Sequence, residues 1–455
     1  MSLKTWLTRT AIAAAVVAAP VASYGESLTD ALIAAYRHSH ILDQQRALLR
    51  ATDENVAQAV ARVRPVLNFV ASLDHSSART PDNTTRSIAL NAQITIFDNG
   101  RNKLAIDAAK ESVLAAREAL VGAEQTILLA AVEAYTDVLT AIEFVNLRRN
   151  NVRLITEELR AARDRFEVGE VTRTDVALAE ARLAETRSLE AAAVGQLAVA
   201  RESYRQAIGR YPGTLRPLPA APKLPRNLKE AERFAVRLHP SIRQAQRNVT
   251  VSEINIASAE AALKFTVTGS AGYNLQAERE PEDGFTASIT LNQPIYQGGA
   301  LTSAIRAANA NRDANRAGLL NTTHTVRQQV GNAWASLAVA VAQLEATDRQ
   351  ITAARIAFRG VQEEAKLGSR TTLDVLDAEQ ELQDALADRV QAQNNKDVAI
   401  YTLLSAIGML TVDHLGLGIQ TYDPAEYYNA VKSAPIKRSK QGQKLDRILE
   451  RLGQN

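Results

Sequence analysis

The chain has 455 residues, of which 46 % are hydrophobic, 23 % charged and 5 % aromatic, and it has no cysteine. This composition supports a sizeable core and long helices. It excludes general disorder, disulfide frameworks, thiolate metal centres and cysteine nucleophiles. The formal net charge of +3 includes Lys4 and Arg9 at the start, and residues 430–455 carry seven Lys or Arg against Asp446 and Glu450; the basic charge is therefore terminal, and without interleaved aromatics it gives no support to nucleic-acid binding.

Residues 1–25 have the layout of a secretory signal peptide. Lys4 and Arg9 precede the apolar run Ala11–Ala19, and Ala22, Ser23 and Gly25 supply small residues for cleavage near 23–25. The run is shorter than the ~20 residues a spanning helix needs. An exported chain is expected, one that can enter a membrane only through strands.

The remainder is a tandem repeat with an offset of 199 to 200 residues. Ile96-Phe97-Asp98-Asn99-Gly100 returns as Ile295-Tyr296-Gln297-Gly298-Gly299, and Val168-Gly169-Glu170-Val171-Thr172 with Asp175 returns as Leu367-Gly368-Ser369-Arg370-Thr371 with Asp374. Such landmarks in one order make each half a structural unit. The first repeat spans 26–209, with strands at about 65–74 and 86–97 and a long helix at about 101–168. Residues 210–226 hold Pro212, Pro217, Pro219, Pro222 and Pro225 and read as an extended linker. The second repeat spans 227–410, with strands at about 265–275 and 285–295 and a long helix at about 300–367. Residues 411–455 are expected to form a C-terminal segment with the basic tail.

Within 101–168 there is no proline. Leu114, Val121, Leu128, Tyr135 and Ile142 recur every seven residues, and Ala131, Val138, Val145, Val152, Leu159 and Phe166 form a second string. This seam predicts coiled-coil packing, and at 1.5 Å per residue the helix reaches about 100 Å. Val330, Leu337, Leu344, Ile351 and Phe358 repeat the spacing. Each long helix is expected to pair with two shorter ones stacked end to end, 174–209 with 43–64 in the first half, and 373–410 with 241–264 in the second. Gly169 and Gly368 mark hairpin turns; Gly100, Gly298 and Gly299 mark strand-to-helix bends.

The strands alternate. Leu67, Phe69, Ala71 and Leu73 face away from Asn68, Ser72 and Asp74, and Phe285, Ala287, Ile289 and Leu291 away from Thr286, Ser288, Thr290 and Asn292. Segments of about ten residues with one apolar and one small polar face fit transmembrane strands, with the loops Ser76–Thr85 and Gln276–Gly284 outside. From periodicity alone, a soluble sheet packed on helices fits nearly as well. In lipid, four strands leave open edges, so the protomer must oligomerise into a barrel.

The glycine–aspartate turns Val168–Val176 and Leu367–Asp377, with the strand exit Gln293–Gly299, resemble the TolC family of outer-membrane efflux proteins over roughly residues 26–420. The resemblance implies a mainly α fold with a small membrane β part: a tandem-repeat protomer of long coiled-coil helices and four strands, three copies forming an α-barrel/β-barrel duct. It implies a homotrimer in outer-membrane lipid with its helices in the periplasm. It also implies a periplasmic membrane-fusion or adaptor protein and an inner-membrane transporter of the RND or ABC type as partners. The expected function is the exit duct of a tripartite efflux or type I secretion system, carrying drugs, toxic small molecules or proteins. The alternative is an exported coiled-coil scaffold without a pore.

The resemblance places the family's entrance carboxylates at Asp374 and Asp377. Their i, i+3 spacing puts both on one helix face, and rings of carboxylates select cations; two aspartates in a first helical turn also simply complement its dipole. The family's gating links fall on Arg370, with Thr174 and Asp175 on the other hairpin, and the family tyrosine three residues before the second glycine is Ala365 here. No phosphate-binding loop or H-E-x-x-H motif occurs in the sequence. His38 and His40 are two apart and read as surface or packing residues. No enzyme activity, cofactor or metal is expected.

Overall fold

The computed structural model describes residues 25–76, 83–277 and 282–451. The signal-peptide expectation lies outside the described residues, apart from Gly25, and so do the tips of both expected outer loops and the last four residues of the tail.

The first repeat runs α1 (Leu28–His38), α2 (His40–Ala61), β1 (Val66–Ser76), β2 (Asn83–Phe97), α3 (Arg101–Glu167) and α4 (Arg173–Ile208). The second repeats that order: α5 (Leu228–Leu238), α6 (Pro240–Ala261), β3 (Thr266–Ala277), β4 (Glu282–Asn292), α7 (Ala300–Lys366) and α8 (Thr372–Ile407). Two short helices follow, α9 (Pro424–Val431) and α10 (Lys440–Arg451). α3 and α7 are each 67 residues long, about 100 Å by helix rise. Both start from a glycine in the left-handed region, Gly100 at φ 84° and Gly299 at φ 85°. A side chain would strain that turn. In the first repeat Asp98 accepts from the backbone N–H of Gly100 (3.0 Å) and Asn102 (2.8 Å) and so caps α3.

The four strands form one antiparallel sheet in the order β1-β2-β3-β4. The register aligns Phe69, Leu90, Tyr273 and Phe285 in one row. The next row on the opposite face aligns Asn68, Asn91, Gly272 and Thr286. Hydroxyl pairs Ser72–Ser87 (2.6 Å) and Ser270–Ser288 (2.7 Å) lie on that polar face. One apolar and one small polar face suit a sheet with lipid on one side and water on the other. β1 and β4 are its edges, and the outer edge of each, away from β2 and β3, pairs with no strand of the chain among the described residues.

Each long helix packs against two shorter ones of its own repeat, α3 with α4 and α2, and α7 with α8 and α6. α3 packs in addition against α6 and α8 of the second repeat. Burial along α3 follows the expected seam at Leu128, Tyr135, Ala131, Val138, Val145 and Leu159. Toward the sheet the seam shifts: Val113 and Ala115 are buried, while Leu114 and Val121 are only half-buried. There α3 lies between α2 and α6, and a helix with neighbours on two sides buries a wider face than a two-stranded seam.

The main core knits both repeats at mid-height. Leu28, Leu32 and Tyr36 of α1 meet Leu128, Val132 and Tyr135 of α3, Tyr204 of α4, Leu404 of α8, and Leu410, Val412 and Leu417 beyond it. The linker 210–226 has no helix or extended strand, only a bridge from Leu215 to Glu26. The buried Tyr135 hydroxyl holds this strap in place, 2.6 Å from the carbonyl of Arg216 and 2.9 Å from that of Glu26.

Candidate functional site: the tips of the helical hairpins

The end of the molecule farthest from the sheet is made of two hairpin turns with the same construction. Gly169 (φ 81°) and Gly368 (φ 78°) take the left-handed conformation that ends a helix. Their N–H groups donate to the carbonyls of Phe166 and Ala365, each at 3.0 Å. The following helices open with a reciprocal cap. Thr172 accepts from the Asp175 N–H at 3.3 Å, while Asp175 Oδ2 accepts from the Thr172 N–H (2.8 Å) and hydroxyl (2.7 Å). Thr371 and Asp374 repeat it at 3.2, 2.8 and 2.8 Å. These bonds hold the Asp175 and Asp374 carboxyls below the usual carboxylate range.

The capping explains where the expected gating residues lie. Asp175 is committed to Thr172, and Arg370 Nε donates to Glu364 Oε2 at 2.9 Å within its own turn. The Arg370–Asp175 link is therefore not formed within the chain. Thr174 is exposed on the first turn of α4. Asp374 is half-exposed and is engaged with Thr371 through Oδ2 alone. Asp377 is exposed and accepts from Arg182 of α4 at 3.1 Å.

Three polar links join the hairpins of the two repeats: Arg182 to Asp377, Gln362 Nε2 to Glu158 Oε1 (3.2 Å), and Asn151 Nδ2 to Glu379 Oε1 (3.2 Å). The last is buried, with Glu379 only 1 % exposed and Asn151 2 %. Asn151 is about 24 Å from the end of α3 and Glu379 about 10 Å from the start of α8 by helix rise. By this pair the first hairpin reaches about 14 Å further than the second, and by the other two links about 6 to 8 Å, so equivalent residues of the repeats are not level within one chain.

Glu379 is the perturbed group of this site. Its Oε2 has no hydrogen-bond partner, and the same is true of Oε1 of Gln383 one turn along α8. Burial, reinforced by the charge of Glu158, pushes the Glu379 carboxyl up to about 7, against the pull of Arg182 and Asn151. Arg182, Asn151 and Glu379 lie outside the repeated turn motifs. The available signal was a glutamate and a glutamine within the apolar stripe Leu376, Leu382, Ala385 of α8, where polar residues must find partners.

Comparison with known proteins agrees with this architecture. The family model "Outer membrane efflux protein" matches residues 33–210 and 235–409, once per repeat. Outer membrane efflux protein BepC of Brucella suis biovar 1 is 38 % identical over 419 residues, covering 90 % of this chain and 91 % of its own. Outer membrane protein TolC of Escherichia coli is 25 % identical over 391 residues, covering 80 % and 78 %. Among solved structures, CusC superposes with a TM-score of 0.75 at 19 % identity, covering 84 % of this chain and 92 % of its own, and so shares the fold. The sheet is thereby placed in the outer membrane and the hairpins in the periplasm. The chain belongs to the outer membrane efflux protein family, the TolC-type outer-membrane channel proteins.

Proposed function

We propose that three copies of the chain close a twelve-stranded barrel continuous with a helical barrel, and that the duct discharges toxic small molecules or drugs from the periplasm to the outside. The observation that carries this is the four-stranded amphipathic sheet with two unpaired edges. Backbone groups at an open edge cannot stay unpaired in lipid. Two copies would give only eight strands, whose interior side chains fill, whereas twelve leave room for a water-filled lumen.

At the periplasmic end the hairpin tips meet a membrane-fusion or adaptor protein, which joins the duct to an inner-membrane transporter of the RND or ABC type. Small-molecule efflux is favoured over protein secretion by the similarity to BepC, itself called an efflux protein, across nine-tenths of both chains. Asp374 and Asp377 of three copies would stack as carboxylate rings at the entrance. Arg370, Thr174 and Asp175 stand at the hairpin tips, where the protomers' hairpins alternate around the ring and a link between neighbours would have to span the step between the two tips.

The test is native mass spectrometry of the detergent-extracted protein together with planar-bilayer recording. A trimer with ohmic conductance is expected. A monomer or dimer, or a trimer that does not conduct, would overturn the duct.

A further inference from the structure

The last segment of the chain climbs toward the membrane. After α8 it follows α3 and α2 upward. The Val412 N–H donates to Glu124 at 2.7 Å, Arg117 donates to the Pro424 carbonyl at 3.3 Å, and the Tyr427 hydroxyl donates to Glu54 at 2.7 Å. Finally the Arg64 guanidinium donates to the carbonyls of Ala434 (2.7 Å) and Ser433. Arg64 stands two residues before the start of β1. The climb thus ends at the periplasmic rim of the sheet, where Phe97 and Phe265 pair with ring centroids 5.5 Å apart. Aromatic residues at a strand end mark the level of lipid headgroups.

α10 starts from this point. Ser439 caps it, accepting the Gly442 N–H at 3.0 Å, and Gln441 bonds back to Ser433 at 3.1 Å. At 100° per residue Lys440, Lys444 and Arg447 share one stripe, with Leu445, Ile448 and Leu449 along one flank of it and Asp446 and Glu450 along the other. Lys437, Arg438, Lys440, Lys444 and Arg447 are all exposed, and none forms an ion pair among the described residues. Ile436, just ahead of the helix, is 70 % exposed. A short helix with adjacent basic and apolar stripes suits the plane of a membrane interface. The protein's own rim here carries Arg62, Arg64, Lys264, Arg101 and Lys103 against Asp98, whose carboxylate is engaged in capping α3, so a second copy offers mostly like charge, whereas anionic headgroups offer the complement.

We propose that α10 is an amphipathic foot on the periplasmic leaflet of the outer membrane, its Lys440–Lys444–Arg447 stripe holding the phosphate-bearing headgroups of anionic phospholipid. The proposal rests on the reading of β1–β4 as the membrane sheet. With no cysteine to carry a lipid, this foot supplies each protomer with an attachment to the bilayer surface beside its strands.

The test uses the full chain, whose lack of cysteine lets Leu449→Cys carry a single fluorophore. The labelled protein is placed in nanodiscs of phosphatidylcholine alone or mixed with phosphatidylglycerol, each containing acyl-brominated lipid as quencher. Recovery of the protein in discs reports membrane insertion separately, so failure of the foot is distinct from failure of the barrel. Quenching is expected in the anionic discs and should weaken with salt. The variant Lys440→Gln/Lys444→Gln/Arg447→Gln should lower the docked-to-free ratio about a hundred-fold at low salt, each basic residue contributing about five-fold. Equal quenching in zwitterionic discs, or unchanged quenching in the triple variant, would overturn the proposal. So would a label shielded equally in detergent trimers, which would seat α10 on a neighbouring protomer.

Discussion

Replacing Glu379 by Gln separates the two protonation states of the buried link between the hairpins. The carboxyl is 1 % exposed, Oε1 accepts from Asn151, and Oε2 has no partner. Its pKa lies near 7 against an ordinary 4.5. Below about pH 4.5 the acid is protonated whether the hairpins are packed or apart, and the contact has its full strength. Between about 4.5 and 7 only the separated form ionises, so packing weakens as pH rises and the loss is complete above about 7. At about 1.4 kcal/mol per pKa unit the difference is worth roughly 3 kcal/mol per protomer as an upper figure. Glu379→Gln keeps the shape, stays neutral and adds a donor beside the unpaired Gln383 oxygen. Hydrogen exchange of residues 151–165 and 372–386, corrected for intrinsic rates, reads the contact directly. The native protein should lose protection as pH rises through this window, and Glu379→Gln should stay protected throughout. Parallel pH profiles in the two proteins, or lower protection in the variant at neutral pH, would refute the reasoning.

Three other perturbations test the entrance and the assembly. Asp374→Asn with Asp377→Asn should abolish block of conductance by divalent cations added on the periplasmic side, whereas Arg182→Ala, which frees the Asp377 carboxylate, should deepen it; block indifferent to both would move the constriction elsewhere. Arg370→Ser and Asp175→Ala should each raise single-channel conductance, with Glu364→Gln leaving it unchanged; a Glu364→Gln effect equal to that of Arg370→Ser would mean that the arginine only staples its own turn. Ile356→Asp on α7, at a side chain 68 % exposed in the protomer, should dissociate the trimer in native mass spectrometry while helical circular dichroism is retained; an intact trimer would place that face toward solvent.

The helices and their turns were legible because the signals are local and doubled. The missing prolines, the seven-residue strings and the glycine punctuation place α3 and α7 within a residue of their observed ends. The strands were legible as alternation, although β2 starts at Asn83, earlier than alternation suggests, because hydrogen bonding with β1 extends past the last apolar residue. What sequence could not supply was the relative height of the two hairpins. The repeat makes Asp175 and Asp374 equivalent, and from that Arg370 and Asp175 are expected to be level. Packing of Leu376 against Ile155, Leu159, Ala179 and Leu183 sets a different register, and it brings Arg182 rather than Arg370 to a carboxylate of the other repeat.

The same sequence pattern also leads to unequal burial, and this inequality points to the seam between protomers. α3 and α7 have the same length and the same heptad spacing. α3 buries seventeen residues along its length, because α2 and α6 flank it above and α4 and α8 below. α7 buries seven, having α6 above, α8 below and the short α5 at mid-height, but no long helix on its other side among the described residues. Leu320, Val339 and Ile356 of α7 are 63 %, 64 % and 68 % exposed. At the opposite edge of the helical layer stand α2 and α4, with Ile41, Leu48 and Val199 each more than half exposed. The strands end the same way, with β4 beside α7 in the chain and β1 beside α2. One rotation that sets α7 on a neighbour's α2 and α4 therefore also sets β4 on its β1. It covers apolar helix surface and pairs the sheet edges in a single step, so the two barrels close together or not at all.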